Sequence, residues 1–144
     1  MRFADLADAG RQLAALLPAD LVAESVLVGV PPGGVPVGAA VAAALGVEVT
    51  ALVTSRDDDG VRVEVPMHVT GRQVVVIDDG VETGTAARAV ADALRAAGAT
   101  RIVLAVPVCP REIEAGLRPR YDDVIAVTRP LVRRSLRWHY ETFA

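Results

Sequence analysis

The chain alternates short, almost wholly apolar runs with longer segments whose apolar residues recur every three or four positions. The runs 25–30 (SVLVGV), 73–77 (QVVVI), 101–106 (RIVLAV) and 123–127 (DVIAV) are rich in Val and Ile. At that length they read as buried strands rather than helices. Segment 47–54 (VEVTALVT) reads as a further strand. Leu6, Leu13, Leu16 and Leu17 fall near helical spacing, so 4–17 is an expected helix that Pro18 ends. A second helix over 37–45 follows the turn PPGGVPVG, with Pro36 at its first turn and Gly46 as its cap. A third covers 83–97 and stops at Gly98, and a short one covers 110–116. Segment 55–60 (SRDDDG) reads as a charged turn, and 61–65 (VRVEV) alternates as a half-exposed strand or hairpin arm does.

Strands separated by helices imply an α/β fold, a three-layer sandwich with helices on both faces of a parallel sheet and right-handed crossovers. No repeat or linker divides the chain, so one domain over 1–144 is expected, with 129–144 packing on it as a tail. In such sheets ligands bind beyond the carboxyl ends of strands, where strand order switches. The turns after Val30, Thr54, Ile77 and Val106 are therefore where chemistry is expected.

Composition narrows the picture. Hydrophobic residues make up 52% of the chain and aromatics 3%, so the core must be aliphatic. No apolar run reaches the roughly 18 residues of a membrane span. The N-terminus has no signal-peptide pattern, and the single Cys109 forms no internal disulfide, so a cytoplasmic protein is expected. A net charge of -3 argues against nucleic-acid binding. All fifteen basic residues are Arg, so any cationic work falls to Arg. Seven of them lie between Arg111 and Arg137, making the C-terminal quarter basic; a homodimer contact there is one use of them.

The densest chemistry is in VVVIDDGVETGTAA, residues 74–87. Asp78 and Asp79 stand at the end of a buried strand, where paired carboxylates can hold a divalent cation or accept hydrogen bonds from a ribose diol. Gly80 and Gly84 allow close backbone approach, and Thr83 and Thr85 bring hydroxyls. The helix that follows presents unpaired N–H groups, which suit a phosphate. An isolated Asp-Asp-Gly is an ordinary turn and an isolated Thr an ordinary helix cap. The whole run, strand to acidic pair to Gly/Thr turn to helix, describes a ribose 5-phosphate site. It is neither a P-loop nor a dinucleotide fingerprint.

These residues resemble the phosphoribosyl-diphosphate (PRPP) motif of type I phosphoribosyltransferases. The resemblance extends to FADLADAGRQLAALL, to LVGVPPGGVPVGAAVAAALGVEV and to WHYETF, which are similar to the N-terminal helix, pyrophosphate loop and C-terminal aromatic patch of a bacterial branch. It implies a sheet order 3-2-1-4-5 and a ligand that is PRPP or a nucleoside 5-monophosphate. It implies that Asp78 and Asp79 hold the ribose hydroxyls and that Thr83, Gly84, Thr85 and Ala86 cradle the 5-phosphate. Pro32, Gly33 and Gly34 would meet the pyrophosphate, and Mg²⁺ would accompany PRPP, carried mainly on its own oxygens, with no metal site built by the protein alone. The implied reaction transfers 5-phosphoribosyl to a nitrogenous base and releases pyrophosphate. The protein would contribute positioning and charge stabilisation.

Three departures from the pattern point to the competing reading, a catalytically degenerate relative that senses a phosphorylated ribose or serves a partner. The branch's Pro-Arg-Gly-Gly loop is here Pro31-Pro32-Gly33-Gly34. Pro32 offers neither charge nor N–H, and a charge-assisted contact is worth roughly 1.5–3 kcal/mol. Glu82 stands where a small or hydroxylic residue is usual; it either faces away, favours the helix N-terminus, or meets a cation. Segment 55–72 is short where relatives carry a long helical insertion that forms a hood. Arg56 is the basic candidate at that loop, followed at once by Asp57, Asp58 and Asp59. His68, His139 and Cys109 read as surface or packing residues. Arg133, Arg134 and Arg137 read as a solvated cluster or a phosphate-friendly patch, and Trp138, Tyr140 and Phe143 as tail packing or a base-stacking platform.

Overall fold

The computed structural model describes residues 2–143; Met1 and Ala144, at the ends of the expected domain and tail, lie outside them. Five parallel strands form the central sheet: β1 (Ser25–Gly29), β2 (Thr50–Ala51), β5 (Gln73–Ile77), β6 (Arg101–Val108) and β7 (Asp123–Thr128). Helices α1 (Leu6–Ala14) and α3 (Gly34–Leu45) cover one face, and α4 (Thr85–Ala96) covers the other. Strand periodicity sorts the side chains. Val74, Val76, Ile102 and Leu104 meet Val90 and Leu94 of α4, while Val75, Ile77, Val103 and Ala105 meet Leu13, Val37 and Val41. The α/β class and its parallel five-stranded sheet are as the pattern of runs predicts.

Strand order is corrected. The sheet reads β2-β1-β5-β6-β7, which in chain order of its five strands is 2-1-3-4-5 rather than 3-2-1-4-5. The sequence contains the reason. Val74 to Ile77 are all 1% exposed or less, which requires neighbours on both sides and helices on both faces. The second strand contributes two exposed residues and suits an edge.

The expected strand 47–54 is also divided. Thr50 and Ala51 pair with Val28 and Gly29, and Leu52 turns into the core. From Val53 the chain leaves the sheet as β3 (Val53–Asp57), which pairs antiparallel with β4 (Gly60–Glu64). The charged turn shrinks from six residues to Asp58 and Asp59. Asp57 organises it by accepting the Asp59 N–H at 2.9 Å and pairing with Arg62 at 3.1 Å. This hairpin leans on α4 through Val63 and Val65, which pack on the core.

Smaller differences follow from capping. Helix α1 starts at an Asp5 cap that accepts the Asp8 N–H at 2.7 Å, and it ends before Pro18. A separate short helix, α2 (Ala19–Glu24), follows, too brief for its periodicity to stand out. Pro110 caps α5 (Arg111–Leu117) rather than opening it. Gly46 closes α3 with φ 66°, as expected. The C-terminal segment carries a 3-10 turn, Leu136–His139, and then runs beside the N-terminus. Phe3 N–H donates to His139 O at 2.7 Å and Glu141 N–H to Phe3 O at 2.8 Å. Phe3 and Tyr140 stack at 5.5 Å and are almost fully buried, so the tail is part of the core.

Candidate functional site

β1 connects outward to β2, and β5 connects the other way to β6. Their carboxyl ends therefore diverge and leave a crevice, as the topology of such sheets requires. A cleft of about 400 Å³ occupies it. Asp78, Asp79, Gly80, Glu82, Thr83, Gly84, Thr85 and Ala86 all line it, and so do Pro32 from the β1 loop and Arg56 from the hairpin. Val30, Val76 and Leu104 form an apolar floor.

Gly33 and Gly34 lie behind this lining. A side chain on Gly33 would run into the Asp79 carboxylate, and one on Gly34 would come within 2.6 Å of Ile77 O. The two glycines therefore let the β1 loop press on the acidic pair. Little of that loop can donate a hydrogen bond. Pro31 and Pro32 have no N–H, and Gly34 N–H donates to Val30 O at 2.8 Å, which leaves Gly33.

The acidic pair is electrostatically tense. Asp79 is 9% exposed, and its N–H donates to Asp78 Oδ1 at 2.8 Å. Burial, and then the charge of Asp79, holds the Asp78 carboxyl well above the ordinary carboxylate range, with Arg56 pulling weakly the other way. Burial raises Asp79 as well; the carboxylate of Glu82 adds to this, while hydrogen bonds oppose it.

The cradle is built by the backbone. Gly84 adopts φ 85°, which a side chain would resist; it offers α4 no side-chain cap, and only Thr83 Oγ1 reaches the helix start, accepting the Thr85 N–H at 3.4 Å. The first intrahelical bond is Arg88 N–H to Gly84 O at 2.9 Å, so the N–H groups of Ala86 and Ala87 have no helical acceptor. The Thr83 and Thr85 hydroxyls lie 3.1 Å apart, both exposed. Helix α4 begins two residues later than periodicity suggests because Gly84 turns the chain first. Arg88 braces the turn by donating to Thr83 O at 3.2 Å; sequence reasoning missed it, and its only signal is a place one turn into the helix.

Glu82 resolves plainly. Its Oε1 accepts the Leu136 N–H at 2.8 Å, so the third carboxylate is occupied by the tail. Tyr140 OH donates to Asp79 O at 2.6 Å in a buried contact, and burial raises its phenol pKa further, helped by the two aspartates. Ser135, Leu136, Arg137 and Phe143 complete the cleft wall. The sequence signals for this wall are Phe143 of the WHYETF cluster and Arg137 of the basic cluster; Ser135 and Leu136 carry none. Arg134 lies over the Trp138 ring at 4.4 Å, whereas Arg137 faces the cleft. Cys109 is fully buried, its thiol pushed up to about 11 by burial, which makes it an inert packing group. His139 is buried and His68 exposed; neither lines the cleft. Among the described residues no group of three or more His, Cys, Asp or Glu could hold a metal. No helix among them is long and apolar enough to cross a membrane.

A parallel α/β sheet with an acidic pair and a Gly/Thr turn opening a helix at its switch point is the architecture of a phosphoribosyltransferase-like domain. The phosphoribosyl transferase domain family matches residues 6–134, and the chain belongs to that family. It is 31% identical to "Putative phosphoribosyl transferase MT0597" of Mycobacterium tuberculosis, over 98% of this chain and 43% of that protein. The chain thus spans less than half the length of the curated relatives it matches. That alignment runs over 195 residues against 144 here, so the relative carries segments with no counterpart in this chain. The fold is similar to that of TT1426 from Thermus thermophilus, with TM-score 0.85, 25% identity and coverage of 100% of this chain and 92% of that one. It also resembles a purine phosphoribosyltransferase from Pyrococcus horikoshii, with TM-score 0.61, 21% identity and coverage of 82% and 80%.

Proposed function

We propose that the chain binds a 5-phosphoribosyl ligand, PRPP or a nucleoside 5-monophosphate, and transfers the phosphoribosyl group to a nitrogenous base. The observation that carries this reading is the juxtaposition of a largely buried acidic pair with the unpaired Ala86 and Ala87 N–H groups of a helix N-terminus across one 400 Å³ cleft. Asp78 and Asp79 accept from the ribose hydroxyls, and the turn 83–86 receives the phosphate. Arg56 reaches the cleft from the hairpin and offsets charge on the leaving pyrophosphate. Among the described residues no group of three or more His, Cys, Asp or Glu could hold a metal, so Mg²⁺ would be carried by the ligand's own oxygens, with Asp78 and Asp79 as the carboxylates that could assist. There it would neutralise pyrophosphate charge.

One observation favours a second reading, binding without turnover. The β1 loop offers the pyrophosphate no cationic side chain at Pro32 and one spare N–H, at Gly33. The sugar-phosphate half of the site is furnished and the pyrophosphate half is lean.

Calorimetry with PRPP/Mg²⁺ against nucleoside 5-monophosphates, followed by pyrophosphate release over a panel of bases, decides between them. Turnover abolished by Asp79→Asn establishes the transferase. Monophosphate binding without turnover establishes the second reading. Folded protein that binds none of these ligands refutes both.

A further inference from the structure

The acidic pair has two neighbours on opposite sides. The Asp79 side chain abuts Gly33 of the β1 loop, where pyrophosphate would leave. Gly80 turns its open side toward Leu136 and Val108; a Cβ there would sit 2.6 Å from Leu136 Cδ2. The tail therefore stands across the aspartates from the leaving-group loop. In a displacement the incoming group approaches from the face opposite the leaving group.

The tail is fastened at two places of unequal depth. Residues 139–142 are locked into the core by the Phe3 pairing and the buried Tyr140 hydroxyl bond to Asp79 O. Residues 131–135 are exposed; the segment after them is held on the cleft by the exposed contact from Leu136 N–H to Glu82, beside the packing of the Leu136 side chain on the core and the bond from Arg2 Nε to Trp138 O at 2.6 Å. Leu136 and the half-buried Phe143 present apolar surface there, with Arg137 placed over the Phe143 ring at 5.7 Å. Such a wall suits a flat ring with acceptor atoms on its rim.

We propose that Glu82 is a positioning residue: its carboxylate latches residues 135–137 beside the phosphate cradle, so that Leu136, Arg137 and Phe143 form the wall that meets the ring of the ligand. The wall rests on the phosphoribosyl reading above; the latch does not. A carboxylate in the cradle turn is thereby explained without a catalytic duty. Among the described residues no helix stands between β4 and β5, and this wall of a few residues takes the place over the cleft.

Two measurements test it. Limited trypsin digestion reads the latch, because Arg133, Arg134 and Arg137 are exposed and cleavage tracks the population of the opened segment. Glu82→Ala speeds cleavage there by roughly three- to tenfold, whereas Glu82→Gln, which keeps an acceptor for Leu136 N–H, does not. Equal rates for all three proteins, or a Gln variant as fast as Ala, overturn the latch. Calorimetry with AMP and with ribose 5-phosphate reads the wall. Glu82→Ala and Phe143→Ala each weaken AMP by fivefold or more while ribose 5-phosphate binds no less tightly. AMP and ribose 5-phosphate weakened in parallel overturn the wall. If wild type binds neither, the nucleotide reading and the wall fall together, and the digestion rates still decide the latch.

Discussion

Replacing Tyr140 by Phe tests how the tail is joined to the acidic pair. The ring stays, with its stacking on Phe3 at 5.5 Å and on Phe143 at 5.0 Å, so packing is preserved. What is lost is a short hydrogen bond to Asp79 O, 2.6 Å long in a residue only 2% exposed. A bond of this kind contributes about 1–2 kcal/mol net, and the stranded carbonyl puts the loss toward the upper end. Unfolding entropy of about 2.1 cal/mol/K per residue gives roughly 0.3 kcal/mol/K for a chain of this length, so Tm should fall by about 3–7 °C. Circular dichroism melts at pH 7 measure it, and urea titration should give an unchanged m-value with a lower midpoint. A Tm within 1 °C of wild type would refute the buried bond. A loss well beyond about 4 kcal/mol would mean that the tail had detached and exposed its apolar face.

Two other substitutions probe the site. Burial raises both aspartates, with the charge of Asp79 adding to it at Asp78 and that of Glu82 at Asp79, so above the unfolded pKa of 3.8 the native state binds more protons than the unfolded chain, and stability falls as pH rises through the folded values. Asp78→Asn should therefore be more stable than wild type at pH 7 and show a flatter stability profile from about pH 4 upward; an unchanged profile would contradict the assignment. Glu114, lowered by its bonds to Arg118 and Arg129, and Asp122, lowered by the Ile102 N–H and then by Arg95, lose their contribution at more acidic pH and do not confuse that window. Gly33→Ala forces a methyl group onto the Asp79 carboxylate and should cost about 1–3 kcal/mol while weakening PRPP. A neutral effect on both denaturation and calorimetry would show that the β1 loop does not press on the pair.

The elements most readable from sequence were those whose burial leaves no alternative. QVVVI can only be a central strand, and a Gly/Thr turn after two aspartates announces the cleft before any coordinate does. Helix ends were less readable, because Gly84 turns the chain where periodicity still says helix. The segment 47–54 misled for a different reason. Its apolar residues serve two sheets in succession, and nothing local marks Leu52 as the pivot. The expected 3-2-1-4-5 order came from resemblance and not from the chain's own pattern, which already placed its most apolar run inside the sheet.

Sequence alone determined the class of fold, the acidic pair, the Gly/Thr turn after it and the lack of charge and N–H at Pro32, because these depend on residue type and near spacing. Tertiary structure decided what lies across the cleft from them. Leu136 is 54 positions from Glu82, and Tyr140 is 61 from Asp79. No periodicity connects residues so far apart. Only the core packing of Phe3 and Tyr140 brings the tail back over β5 and β6, and only then does the third carboxylate acquire its partner.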